Sequence, residues 1–142
     1  PMRNLIASLC IALIASLLAL GPGVAKAADA RLEIPASADP DAVAFLVAAS
    51  AKDFKASGAQ RPVAIRGARV GFFAEGGKGV YLLCGSFKTE AGARAKWTDF
   101  ATIKTSDYEQ WLGGTAKSYC GQRSIKWYAG DPSAALMKAI QD

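Results

Sequence analysis

Few residues in this chain have the type and spacing to do chemistry, and the first is a cysteine inside an apolar run, "GVYLLCGSFK", Gly79 to Lys88. Cys84 could be a nucleophile, a metal ligand, a buried thiol or half of a disulfide. A cysteine nucleophile works beside a base, most often histidine, and the chain contains no histidine. A structural zinc site takes four Cys or His ligands, which the cysteines Cys10, Cys84 and Cys120 cannot supply. Cys10 falls in an N-terminal segment read below as removable, so Cys84 and Cys120 remain as an even pair. In an oxidising compartment that pair is expected to close a disulfide, with two independent buried thiols as the alternative.

Other catalytic constellations fare no better. Lack of histidine removes classical triads and the commonest metal ligand together. Ser50–Lys52, Ser86–Lys88 and Ser124–Lys126 are S-x-K pairs, whereas serine–lysine enzymes of the penicillin-binding type use S-x-x-K. Ser86 and Lys88 would share a face if they lie on a strand. Asp99, Asp107 and Glu109 are the nearest carboxylates, but Asp107 and Glu109 suit the electrostatics of a helix start. No D-x-D-x-D-G loop offers a calcium site. "EGGKG" lacks phosphate-loop spacing and leads into a strand, so it reads as a hairpin turn. The sequence therefore assigns no catalytic residue, no cofactor and no metal.

The remaining chemistry is aromatic and cationic. Trp97, Tyr108, Trp111, Tyr119, Trp127 and Tyr128 interleave with Lys96, Lys104, Lys117, Arg123 and Lys126 in the C-terminal half. Such mixtures bind peptides, glycans or single strands by stacking and charge. Trp111, Trp127, Tyr128, Lys117, Arg123 and Lys126 form the candidate binding surface. Against this, the helical spacing of residues 108, 111, 112 and 119 suits an inward stripe of a small core.

The N-terminus sets the expected compartment. Basic Arg3 precedes an apolar run from Leu5 to Leu20, a Gly-Pro-Gly break and an Ala-Lys-Ala cleavage signal. That order predicts a Sec-type signal peptide over 1–27 and a single exported domain over 28–142, with a second cleavage site before Arg31. The run is shorter than the roughly 20 residues that span a bilayer, so no stable membrane span is expected after cleavage. Arg3 and Lys26 leave with the signal, taking the net charge from +5 to about +3. That mild excess gives no reason to expect a nucleic-acid partner.

The elements that must position these groups follow from local pattern. Asp39-Pro40 caps a helix over Pro40–Ser57, with Val43, Leu46, Val47, Ser50 and Phe54 on its stripe. A lead-in strand is expected at Leu32–Ile34. "PVAIRGARVGFFAE", "GVYLLCGSFK" and "KWTDFATIK" read as three consecutive antiparallel strands, the first carrying a bulge at Gly67, the second apolar on both faces and therefore central. Ser106-Asp107-Tyr108-Glu109 is a capping box, predicting a helical segment toward Cys120 that Gly113-Gly114 interrupts, as either a kinked helix or a short helix and a turn. "SIKWYA" suggests a fourth strand, and Asp131-Pro132 opens a terminal helix with Leu136, Met137 and Ile140 inward. The expected fold is α+β: an antiparallel meander of three to four strands, an N-terminal helix, C-terminal helices mainly on one face, and one disulfide.

The function expected is non-catalytic binding, secreted or periplasmic. Its partner is expected to be a protein or a cell-envelope polymer, and the chain could act as a hydrolase inhibitor or an accessory subunit. A structural envelope component and a small hydrolase using a Ser-Lys or Cys nucleophile are the rivals.

Overall fold

The computed structural model describes residues 32–104, 108–122 and 124–142. The expected signal peptide with Cys10, the Ser106-Asp107 half of the capping box, and Arg123 lie outside the described residues. In chain order the elements are α1 (Pro40–Ala56), a single 3-10 turn (Gly58–Gln60), β1 (Ala64–Glu75), β2 (Lys78–Lys88), β3 (Thr98–Lys104), β4 (Tyr108–Leu112), α2 (Gly114–Cys120), β5 (Lys126–Trp127) and α3 (Ser133–Gln141). The sheet runs β4-β3-β2-β1-β5, with every neighbouring pair antiparallel. It is the α+β meander with an N-terminal helix that the sequence implies, extended to five strands.

Alternation along β2 explains the layers. Leu83 and Phe87 point to one face and meet Leu46 and Phe54 of α1, Val70 of β1, and Leu136 and Ile140 of α3. Val80, Leu82 and Cys84 point to the other and meet Ala101, Ile103, Ala116 of α2 and Ile125, with Trp111, Tyr119 and Trp127 around them. We call these the first and second faces. A strand buried on both sides has to be apolar at every position, which is why β2 shows no polar alternation over Val80–Cys84. On the first face α1 begins where Asp39 accepts the Asp41 amide at 3.0 Å, followed by Pro40 in the first turn. Its buried residues Ala42, Leu46, Ser50 and Phe54 recur every fourth position. The Phe54 ring lies 4.9 Å from Phe87 and 5.3 Å from Phe100.

β1 carries the bulge. Arg66 pairs with Ser86 but Arg69 pairs with Cys84, so one extra residue is accommodated between them. Gly67 sits there at φ 60, a conformation glycine adopts without a Cβ clash. The shift keeps Ile65 upstream and Ala68 and Val70 downstream on the first face. The displaced Ala68 N–H donates to Ser133 Oγ at 3.0 Å, and Ser133 Oγ in turn donates to Asp131. A buried amide that the ladder abandons is thereby satisfied by the start of α3.

Two expectations are corrected. Tyr108–Leu112 is a strand where the capping box predicted a first helical turn. Spacing of Tyr108, Trp111 and Leu112 suits either structure locally, but β3 offers an open edge, and Phe100↔Leu112 through Lys104↔Tyr108 fill it. Neighbouring residues then divide between layers: Gln110 reaches Ser50 Oγ at 3.3 Å on the first face, while Trp111 joins the second. Gly113 ends the strand at φ 66, and only then does α2 begin. Leu32–Ile34 forms no strand. β5 takes the edge beside β1, and the lead-in is tied there through the Pro35 carbonyl, which accepts from Lys126 Nζ at 2.8 Å and Tyr128 Oη at 2.9 Å.

Cys84 and Cys120 form a disulfide with a 2.02 Å bond across 36 residues. It joins central β2 to the end of α2 and contributes about 4 kcal/mol on the loop-entropy estimate. For a helix as short as α2, which has little stability alone, this covalent tie replaces buried area.

Asp131 accepts the Ser133 hydroxyl and, at 2.9 Å, the Ser133 amide, and these bonds, the hydroxyl's foremost, hold its carboxyl below the usual range. A carboxylate whose folded pKa is depressed stabilises the fold fully above its unfolded value, and the contribution disappears as pH falls through the folded pKa. Asp131→Ala is expected to cost about 1 kcal/mol in urea unfolding at neutral pH. The deficit relative to wild type should shrink as pH falls below the ordinary carboxylate range and through the lowered folded pKa, where the carboxylate becomes protonated in both states.

Candidate binding cleft

On the second face the C-terminal end of β2 lies against the N-terminal end of β3, and their polar residues meet beyond the end of the apolar cluster. Ser86 pairs with Asp99 in the β2–β3 register, and Ser86 Oγ donates to Asp99 Oδ1 at 2.8 Å. α2 closes one wall of this region, because the disulfide pins Cys120 over Cys84. The result is an open cleft of about 260 Å³ lined by Arg69, Ser86, Asp99, Lys117 and the disulfide, with glycine backbone at 67, 85 and 121.

Three of the cations in and beside the cleft lie against tryptophans. The Arg69 guanidinium carbon lies 3.7 Å from the Trp127 ring centre, and that of Arg66 lies 4.1 Å from the Trp97 centre. Lys88 Nζ is 5.2 Å from the same Trp97 ring and donates to the Gly92 carbonyl at 3.1 Å. Such contacts are worth about 0.5–1 kcal/mol each at exposed sites, enough to restrict a flexible side chain. Trp127 can lie flat on β1 because its partner across the ladder is Gly71. A Cβ there would stand 2.5 Å from Ile125 Cγ2 and 2.8 Å from Trp127 Cε3. The bulge matters again here. Arg66 and Arg69 are an odd number of residues apart and would face opposite ways on a regular strand, yet Ser86 and Cys84, their partners, share the second face.

The residues singled out from sequence fall in different places. Trp127 and Lys117 belong to this region. Trp111 is half-buried behind it, 5.6 Å from the Tyr119 ring, with an indole N–H that is buried and has no hydrogen-bond partner among the described residues. Lys126 and Tyr128 flank Trp127 and therefore point to the first face, where both bind the Pro35 carbonyl. Burial, reinforced by Tyr81, raises the Tyr128 pKa. Ser86 and Lys88 share a face as expected, but the serine is committed to Asp99 and the lysine to Gly92 and Trp97. Sequence reasoning missed Arg66 and Arg69 as a pair, and it counted Trp97 among the aromatics of the C-terminal half but left it out of the candidate surface. The signal was present in Arg-Gly-Ala-Arg, once the bulge at Gly67 is counted into the facing.

Among the described residues, no group of His, Cys, Asp or Glu is arranged to hold a metal ion, and no helix is long and apolar enough to cross a membrane. No protein-family model matches the chain, and neither a curated protein sequence nor a solved structure is significantly similar to it.

Gly71→Val is expected to push Trp127 off β1, costing about 1–3 kcal/mol through overpacking. Gly114→Ala, where an added Cβ meets nothing within 4 Å, is the control and should leave stability nearly unchanged. Urea unfolding monitored by tryptophan fluorescence measures both. Equal stability of the two variants would contradict the tight seating of Trp127.

Proposed function

We propose that the chain is an exported, non-catalytic binding protein that takes anionic groups of a protein partner or a cell-envelope polymer on its second face. The observation that carries this reading is the cleft itself: Arg69 and Lys117 line it, with Arg66 and Lys88 held on Trp97 alongside. Guanidinium groups already ordered against rings lose less freedom when they meet a ligand, and this favours affinity. The signal-like N-terminus and the disulfide support a periplasmic or extracellular setting, since disulfides persist in oxidising compartments. The reading as a binding protein is also supported by the separate commitments of Ser86 and Lys88 and by the engagement of both Cys84 and Cys120 sulfurs. An inhibitor of a secreted hydrolase and an accessory subunit of an envelope complex are both forms this activity can take.

The test uses protein recovered from the envelope fraction, whose intact mass should start at Ala28 or Arg31. Immobilised, it should bind at least one of a panel of polyuronate, sulfated glycan, polyglutamate and single-stranded DNA at low salt. Arg69→Gln combined with Lys117→Gln should weaken that binding by about tenfold or more, as expected for loss of charge-assisted hydrogen bonds. Binding that the double variant leaves intact, or no binding to any polyanion, would remove the cleft from the account.

A further inference from the structure

The second face also indicates what kind of anion fits, an inference that rests on the binding role proposed above. Trp97 and Trp127 have guanidinium groups set against their rings at 4.1 Å and 3.7 Å. They act as supports for cations, and the surface offered to a ligand is charged and planar. Planar guanidinium suits carboxylate, which it binds through two parallel N–H bonds. Each guanidinium occupies one face of its ring, which leaves less ring surface for the stacking of bases that usually grips single-stranded nucleic acid.

Asp99 narrows the choice further. A carboxylate inside a cationic cleft repels a densely charged polyanion, but it accepts hydrogen bonds from hydroxyl groups. Ser86 fills one of its acceptor positions at 2.8 Å, and an ionised carboxylate offers about four. A ligand that combines acid groups with hydroxyls satisfies both halves of the cleft, whereas an acidic peptide satisfies only the cations. The spacing of the arginines adds a third constraint. Their ladder partners Ser86 and Cys84 are two residues apart on β2, which places the two arginine backbones about 7 Å apart at the strand rise. One anion on Arg69 and Lys117 therefore leaves Arg66 within reach of a second.

We propose that the cleft binds an acidic glycan: a uronate unit with its carboxylate on Arg69 and Lys117 and its hydroxyls on Ser86 and Asp99, a neighbouring acidic unit reaching Arg66. Calorimetric titration of the mature protein with oligogalacturonate tests this, with its methyl ester, polyglutamate and single-stranded DNA as comparison probes. Oligogalacturonate should bind, and the neutral ester and polyglutamate should bind at least tenfold more weakly. Arg66→Gln and Arg69→Gln should each weaken oligogalacturonate by about tenfold. Both side chains are exposed, so these variants are expected to fold, and circular dichroism checks it. Asp99→Asn separates the ligand classes by sign: it should weaken oligogalacturonate and tighten polyglutamate. Equal affinity for the two polymers, or tightening of both by Asp99→Asn, overturns the glycan assignment while the binding role stands. Absence of binding to every polyanion overturns both.

Discussion

Two hydrophobic registers meet in β1, and the bulge at Gly67 is what reconciles them. Ile65 and the downstream Ala68 and Val70 all belong to the core beneath α1 and α3, yet their numbering has opposite parity. On a regular strand either Ile65 would turn outward or Arg69 would enter the core, and an unpaired buried guanidinium is among the most costly groups to bury. One inserted residue resolves the conflict. The same residue brings Arg66 and Arg69 to one face. Core packing and the candidate cleft thus depend on a single irregularity, whose orphaned amide is taken up by Ser133.

The second face is built differently. α2 spans Gly114–Cys120 and buries only Ala116, so its position owes much to the bond from Cys120 to Cys84. That bond defines one wall of the cleft and brings Lys117 across from Arg69. The helix, the polar ends of β2 and β3, and β5 with Trp127 converge there from separate parts of the chain. Fold and candidate site therefore share their constraints: the disulfide that stabilises the domain also shapes the cleft.

Local chemistry made much of this architecture legible in the sequence. Asp39-Pro40 marked the start of α1, Gly67 marked the bulge, the two-sided apolar run placed β2 in the centre, and the even cysteine pair pointed to its disulfide. Tyr108–Leu112 was not legible, because its residues fit a helical stripe and only the open edge of β3, distant in sequence, decides for a strand. The aromatic segment was legible in composition but not in facing. Once β5 pairs with β1, Lys126 and Tyr128 turn one way and Trp127 the other. The arginine pair was hidden for a related reason: side-chain direction along β1 depends on where the extra residue is absorbed.

The bulge at Gly67 is a built feature, its displaced Ala68 amide bonded to Ser133 Oγ. Amide hydrogen exchange at Ala68, followed by NMR in wild type and in Ser133→Ala, measures this most directly. Slow exchange is expected in the wild type, with a selective loss of protection at Ala68 in the variant while Phe72 and Phe73, paired within the sheet, stay protected. Fast exchange at Ala68 in the wild type, or protection that survives removal of the Ser133 hydroxyl, would contradict it.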